Sequence, residues 1–350
     1  MVLFLGPFPP PISGQTLADD GLCSVLEQRM PVDRLRTERL DSSSKFFNAA
    51  VKLWRHAKLT VKLQKTGESI LFVSVERGRG KLLQRLLIQA SRQRFDAIIF
   101  VYHIWDGFDL GERFRSIALE HSDRILHVGL CDRHADKLRS VIRSHDRESV
   151  MALSNTAWMM AVIEETDFKR TESDSLRVGM ISNLTREKGA DTFTDLASMM
   201  SSAVDSPEFV LAGPIRDDSL EVEIQLASSS GVLDYVGSVP SADRHEFIAG
   251  LDALVFPTRY RSETEPLIVL EALRLGVPVV ATSVGCLEER LPSQWLLPPG
   301  ADLHAWEALV RKVIESPDES RRLAREIWAE CEQRSTSEIT SVCEWIGVVR

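Results

Sequence analysis

The chain reads as an α/β protein built on parallel, doubly wound sheets, and three observations predict this. Short apolar runs bounded by loop residues alternate with stretches of helical period along most of the length. Residues 252–284, DALVFPTRYRSETEPLIVLEALRLGVPVVATSV, show the pattern in full as strand, polar loop, helix and strand. Consecutive units of this kind imply parallel strands joined by right-handed crossovers. Finally, 350 residues exceed one ordinary core, so two such sheets in two domains are expected.

Composition narrows the class. Apolar content of 44% and charged content of 27% are those of a water-soluble globular chain. A net charge of −9 argues against a general nucleic-acid binder. The five cysteines are scattered, which fits a reducing compartment and gives no metal-site spacing. No apolar run approaches the roughly 20 residues of a bilayer span. The start, MVLFLGPFPPP, lacks a basic region and reads as a first strand rather than a signal peptide.

The elements follow in order. Val2–Leu5 is the expected first strand. The loop after it is stiffened by Pro9, Pro10 and Pro11. Gly14 then stands at the start of a helix predicted over Gln15–Gln28. A glycine at such a corner lets a ligand approach the backbone; a plain β–α turn explains it equally well. Residues 45–65 hold six Lys/Arg and no acid, interleaved with Phe46, Phe47 and Trp54. That is the pattern of a basic amphipathic helix on a membrane surface, where each cation is attracted to anionic lipid by about 1 kcal/mol. The competing reading packs Phe47, Val51 and Trp54 inward beneath solvated lysines. Strands are predicted over Ser69–Val75 and Asp96–Tyr102, with helix Lys81–Arg94 between them. His103 follows the carboxyl end of the second of these, where open α/β sheets bind ligands; a helix cap or a buried imidazole competes. Helix Arg113–Glu120, strand Arg124–Val128, helix Asp132–Ser144 and strand Val150–Leu153 complete a first domain. Glu164–Ser175 is charged and aperiodic and reads as a linker, so the domains are expected at 1–168 and 174–333.

In the second domain, strands are predicted over Arg177–Ile181, Glu208–Ala212, Val232–Gly237, Asp252–Pro257, Val277–Ala281 and Gln294–Leu297. Helices Ala190–Met200, Leu220–Ser229 and Ala242–Ala249 alternate with them. Another helix begins at Pro266, whose missing N–H suits the first helical position. It turns Leu267, Leu270, Leu273 and Leu275 inward and ends at Gly276. Helices Ala305–Glu315, Glu319–Gln333 and Thr336–Val349 close the chain.

The corner after strand Asp252–Pro257 carries chemistry. A helix N-terminus offers free N–H groups and partial positive charge, which favour phosphate. The loop before it nevertheless holds Glu263 and Glu265, with Glu271 further along the helix. Carboxylates cannot ligate phosphate, but they accept hydrogen bonds from hydroxyls. A corner that offers amides to phosphate and acids to alcohols suits a sugar nucleotide.

Within FPT…ETEPLIVLEAL…GVPVVAT, Glu263 and Glu271 stand with seven residues between them. This resembles the E-x7-E signature of the large retaining glycosyltransferase family 4, which has the GT-B fold. A solvated helix face would explain two glutamates alone but not the residues around them. The resemblance implies two Rossmann-like domains facing each other across a cleft, with a C-terminal helix at about 336–350 crossing back to the first domain. It also implies roles. Glu271 would grip the ribose hydroxyls and Glu263 would lie near the donor sugar. Thr264 and Glu265 would touch sugar hydroxyls, and the amides near Pro266 and Leu267 would face the diphosphate. Lys188-Gly189 matches the family's Lys-Gly; Asn183 stands where an arginine is usual, with Arg186, three residues on, as a candidate substitute. Gly14-Gln15 occupies the place of two adjacent glycines facing donor phosphates and acceptor. His103, with Asp106 beside it, matches a histidine near the donor sugar and the acceptor, and Val236 marks the strand edge that holds the base. Asn155 is retained from a Pro-Asn-Gly turn, and Gly285-Cys286 stands where Gly-Gly is common.

The implied reaction moves a hexosyl unit, with retention, from a nucleotide-diphosphate sugar to a hydroxyl of a glycan or lipid-linked acceptor. UDP is the first choice of nucleotide and GDP the second. Surface-polysaccharide or O-antigen assembly at the inner face of the cytoplasmic membrane is the expected setting. No metal or cofactor is expected. Three other readings stay open at this point. One is a sugar-nucleotide epimerase or phosphorylase on the same fold. Another is a dinucleotide oxidoreductase, against which stands the lack of G-x-G-x-x-G after the first strand. The third is a non-catalytic sugar-nucleotide-binding subunit, which the Asn183 departure favours.

Overall fold

Strands that are almost wholly apolar are satisfied by burial on both faces, and the computed structural model places them so. It describes residues 1–9, 13–36, 67, 69–75, 94–105, 123–142, 149–162, 175–201 and 206–349. The predicted segment 45–65, all of helix Lys81–Arg94 except its last residue, helix Arg113–Glu120, Asp106 and most of the charged stretch 164–175 lie outside the described residues. The chain divides into two units, Met1–Glu164 with Arg334–Arg350, and Glu165–Gln333.

In the first unit, β1 (Val2–Gly6), β3 (Ile70–Ser74), β4 (Ala97–Val101) and β5 (Ile125–Gly129) are buried at every position. This two-sided burial is characteristic of parallel sheets covered by helices. β6 (Val150–Ala152) and β2 (Val32–Arg36) complete a six-stranded parallel sheet in the order β2-β1-β3-β4-β5-β6. β2 was not legible in the sequence: only Leu35 of VDRLR is buried, as befits an edge strand. Helix α1 (Gly14–Glu27) starts one residue before the predicted bound, because Ser13 and Thr16 close a reciprocal capping box there. α1 packs on a second unforeseen element, α3 (Thr156–Val162). Gly21 lets it approach: a Cβ at that position would stand 2.3 Å from the Trp158 ring. Between β5 and β6 lies α2 (Asp132–Ile142).

The second unit repeats the plan. Its strands are β7 (Arg177–Ile181), β8 (Glu208–Ala212), β9 (Asp234–Gly237), β10 (Ala253–Phe256), β11 (Val279–Thr282) and β12 (Leu296–Leu297). They form a parallel sheet in the order β12-β11-β10-β7-β8-β9. β10 pairs with β7, although two strands separate them in the chain, so strand order reverses between these two. The helices are α4 (Ala190–Met200), α5 (Asp218–Ser229), α6 (Arg244–Ala249), α7 (Leu267–Arg274), α8 (Leu287–Arg290) and α9 (Leu303–Ile314). α8 had no counterpart in the sequence reading. Pro266 is the N-cap of α7, in extended backbone, rather than its first helical residue. Gly276, at φ 68°, ends that helix as expected: its N–H donates to Leu273 and that of Val277 to Ala272.

The last helix departs from expectation. Two helices were predicted, and one continuous helix, α10 (Pro317–Val349), is found. Nothing between Gln333 and Thr336 breaks a helix, since neither Gly nor Pro occurs there. At 33 residues it is about 50 Å long. Its early part is held in the second unit by Arg321, which donates to Leu251 O (2.6 Å) and Asp252 Oδ1 (3.3 Å). From Arg334 onward it belongs to the first unit. There Arg334 pairs with Asp132, Glu338 accepts from the Ser154 amide at 2.8 Å, and Ile339, Val342 and Ile346 are buried. The fold is thus the α/β class read from the sequence, with two Rossmann-like parallel sheets of six strands each.

Candidate functional site

In an open α/β sheet, ligands bind outside the carboxyl ends of the strands where strand order reverses. In the second unit that point is β7/β10, and two loops leave it: 182–189 after β7 and 257–266 after β10. The backbone zips them together. Gly189 sits at φ 82°, and a Cβ there would lie 2.1 Å from Pro257 O, so only glycine permits the approach. The Arg259 amide donates to Glu187 O at 2.7 Å. The Arg259 side chain donates to Thr192 and Asp191 and to Arg186 O. The consequence is a direct ion pair between Lys188 Nζ and Glu263 Oε2, with the ammonium also 4.7 Å from the centre of the Tyr260 ring. Two predicted site residues 75 positions apart are therefore in contact.

A third loop supports Glu263 from behind. Gly285 lies at φ 57°, and a Cβ there would stand 2.3 Å from Thr264 O and 2.5 Å from Glu263 O. The Cys286 amide donates to Thr264 O at 2.7 Å. Thr264 itself is buried, its hydroxyl 3.4 Å from Ser262 O. Pro266 has no side chain able to cap α7, and Leu267 opens that helix half-buried.

Glu265 is a correction. Its carboxylate is fully buried and accepts from Arg290 Nε at 2.7 Å, with Arg290 only 1% exposed. It is therefore an internal ion pair joining the 257–266 loop to α8 rather than a group presented to hydroxyls. Arg186 lies in a network of its own. Its guanidinium binds Glu223 and Ser219, with Asp191 at 3.7 Å and Asp217 at 3.9 Å, a half-exposed network between α4 and α5. Among the described residues neither Lys188 nor Glu263 is one of its partners. Asn183 is exposed. Val236 lies on the edge strand β9 and is 43% exposed.

Glu271, on α7, is 2% exposed, and its Oε1 accepts from Arg244 at 2.6 Å. Burial pushes its carboxyl up to about 7, and the neighbouring guanidinium offsets only part of that. Arg244 was not singled out in the sequence, where it is one more charged residue in a short polar helix.

The first unit has its own reversal point, between β1 and β3. Gly6 ends β1 and Ser74 ends β3. Gln15 Nε2 donates to Ser74 Oγ at 3.0 Å. His103, just past β4, brings Nε2 to 2.9 Å from Oδ1 of Asp19, a fully buried carboxylate on α1. Burial raises the Asp19 carboxyl, and the imidazole beside it counteracts this in part. The sequence reading missed Asp19; its i+4 spacing from Gln15 on the capped helix was the available signal. Gly14 is not sterically required, since a Cβ there would meet open space. Asn155 is buried and turned inward, accepting from Trp158 Nε1 at 3.2 Å.

Residues 162–327, the bulk of the second unit, match the model of the family described as Glycosyl transferases group 1. The chain is 23% identical over 270 residues to a phosphatidylinositol N-acetylglucosaminyltransferase subunit of Arabidopsis thaliana, covering 75% of this chain and 59% of that protein. It is 33% identical over 107 residues to the putative teichuronic acid biosynthesis glycosyltransferase TuaC of Bacillus subtilis (strain 168), covering 30% of this chain and 24% of that one. The chain thus spans less than two thirds of the length of these relatives. Among solved structures, Anabaena Alr3699/HepE in complex with UDP superimposes with a TM-score of 0.70 at 15% identity, covering 99% of both chains. The apo form of the lipopolysaccharide outer core galactosyltransferase WaaB gives 0.68 at 12% identity, again with 99% of each chain covered. At these identities the likeness is one of fold, and the fold is GT-B.

Proposed function

We propose that the protein is a retaining glycosyltransferase that moves a hexosyl unit from a UDP-sugar to a hydroxyl of a glycan or lipid-linked acceptor in surface-polysaccharide assembly. The observation that carries this reading is the Lys188–Glu263 pair at the β7/β10 reversal of a domain matching the glycosyl transferases group 1 model. The similar proteins support the setting: TuaC is a putative teichuronic acid biosynthesis glycosyltransferase, and HepE has been solved with UDP-glucose.

In this reading charge builds on the leaving diphosphate as the glycosidic bond breaks, and preoriented donors stabilise it. Lys188 leaves Glu263 for the diphosphate, joined by Asn183 and the uncapped amides at Leu267. Glu263, released, accepts from hydroxyls of the donor sugar, and Glu271 accepts from the ribose. Thr264 acts through its backbone, and Val236 flanks the base through backbone groups of β9. His103, held by Asp19, acts between the donor sugar and the acceptor, and Gly14 and Gln15 face the donor phosphates and the acceptor. No covalent nucleophile and no metal take part; the departing phosphate assists deprotonation of the acceptor hydroxyl. Segment 45–65 brings the enzyme to an anionic membrane surface.

The test is a thermal-shift and calorimetric screen of UDP, GDP and ADP, followed by donor turnover. UDP is expected to raise the melting temperature, and Lys188→Ala to abolish that shift. A shift that survives Lys188→Ala refutes the diphosphate assignment. Binding without any hydrolysis or transfer identifies a non-catalytic binding protein instead.

A further inference from the structure

Glu271 is a buried acid with one partner among the described residues. Its Oε1 accepts from an Arg244 Nη at 2.6 Å, while its Oε2 accepts from no described residue. The guanidinium is used through one nitrogen only, and its Nε is buried without a hydrogen-bond partner among the described residues. A bidentate fork would occupy both carboxylate oxygens; a single-point contact occupies one. Arg244 is the first residue of α6, which packs on α7, and α6 follows the loop leaving edge strand β9, where Val236 lies.

We propose that Arg244 is the positioning residue for ribose recognition: by holding Glu271 through one oxygen, it fixes the carboxylate and leaves the other oxygen to accept from the ribose hydroxyls. This rests on the reading of Glu271 given above. A buried carboxyl that loses its only cation shifts toward the neutral form. A neutral carboxyl has a proton to donate and one acceptor fewer to offer. Arg244 thus acts through Glu271 and need not touch the nucleotide.

The experiment compares the affinities of UDP and 2′,3′-dideoxy-UDP by calorimetry, for the wild type and for Arg244→Ala, Arg244→Lys, Glu271→Gln and the Arg244→Ala/Glu271→Gln pair. A hydrogen bond to a charged group implies a wild-type preference for UDP of about 10- to 100-fold. Arg244→Ala should bring the ratio below about threefold, and Arg244→Lys should restore part of it. In the Glu271→Gln background, removing Arg244 should change nothing further, because the two act as one unit. The ratio cancels a general loss of binding, so a merely structural role would not move it. Should Arg244→Ala fail to fold, Arg244→Gln takes its place. A wild-type ratio in the Arg244 variants, with loss in Glu271→Gln, overturns this inference alone. A wild-type ratio in Glu271→Gln overturns the reading of Glu271 and the role of Arg244 with it.

Discussion

Gly285→Ala tests how the 257–266 loop is held. The added Cβ would lie 2.3 Å from Thr264 O and 2.5 Å from Glu263 O, against about 3.4 Å for an ordinary contact. Both neighbours are backbone, so no flexible side chain can yield; the 263–264 backbone must retreat by about 1 Å or β11's following loop must unwind. The position also has φ 57°, where a non-glycine residue carries about 1–2 kcal/mol of steric penalty. With the lost Cys286 N–H···O contact, the total is about 2–4 kcal/mol. At roughly 2–4 °C per kcal/mol for a protein of this size, melting should fall by about 5–15 °C. Glu263 rides on that backbone, and a displacement of about 1 Å can lower kcat/KM by about 100-fold. Differential scanning fluorimetry and a UDP-sugar turnover assay read the two effects. Gly347→Ala, in open space on α10, is the control, and helix propensity there predicts a gain of up to about 1 kcal/mol. If Gly285→Ala melts within about 1 °C of the wild type and keeps its kcat/KM, the close approach of the two loops is not what holds Glu263.

Three further outcomes are expected. Glu265→Ala removes the buried carboxylate that faces the Arg290 guanidinium at 2.7 Å and should destabilise by about 3–5 kcal/mol, while Glu265→Leu/Arg290→Met should recover most of that in urea unfolding. The Glu271 carboxyl is raised to about 7 from an ordinary 4.5, so the folded protein binds more protons than the unfolded one across that interval. Its contribution to stability is therefore complete below about pH 4.5 and is lost as pH rises through about 7. Melting-temperature profiles of wild type and Glu271→Gln should diverge in that window; parallel profiles would refute the shift. Flotation with anionic liposomes should recover the protein at low salt and release it at high salt, through the six cations of 45–65. Charge-reversed lysines in that segment should abolish flotation, and salt-insensitive binding would count against an electrostatic surface contact.

The sheet strands other than β2 and most helices of the second unit are legible in the sequence, and so is the acid-bearing corner that follows β10. Apolar runs and helical periods are local, so burial writes itself into neighbouring residues. Edge strand β2 escaped because an edge buries only one residue in five, which is too little for a pattern. The false break in α10 falls in the polar run around Ser335, whose place becomes clear only with Asp132 beside Arg334 and the Ser154 amide beside Glu338.

By itself the sequence determined two parallel α/β sheets and the loop that carries the acids, because alternating strand and helix periods leave few other ways to cover apolar surface. The tertiary structure alone decided which of those acids are available. Glu265 is closed off by Arg290, 25 residues away, Glu271 is half-held by Arg244, 27 away, and His103 is met by Asp19, 84 away. Charge pairing falls off with distance in space, and no local pattern records which distant loop a crossover will bring alongside.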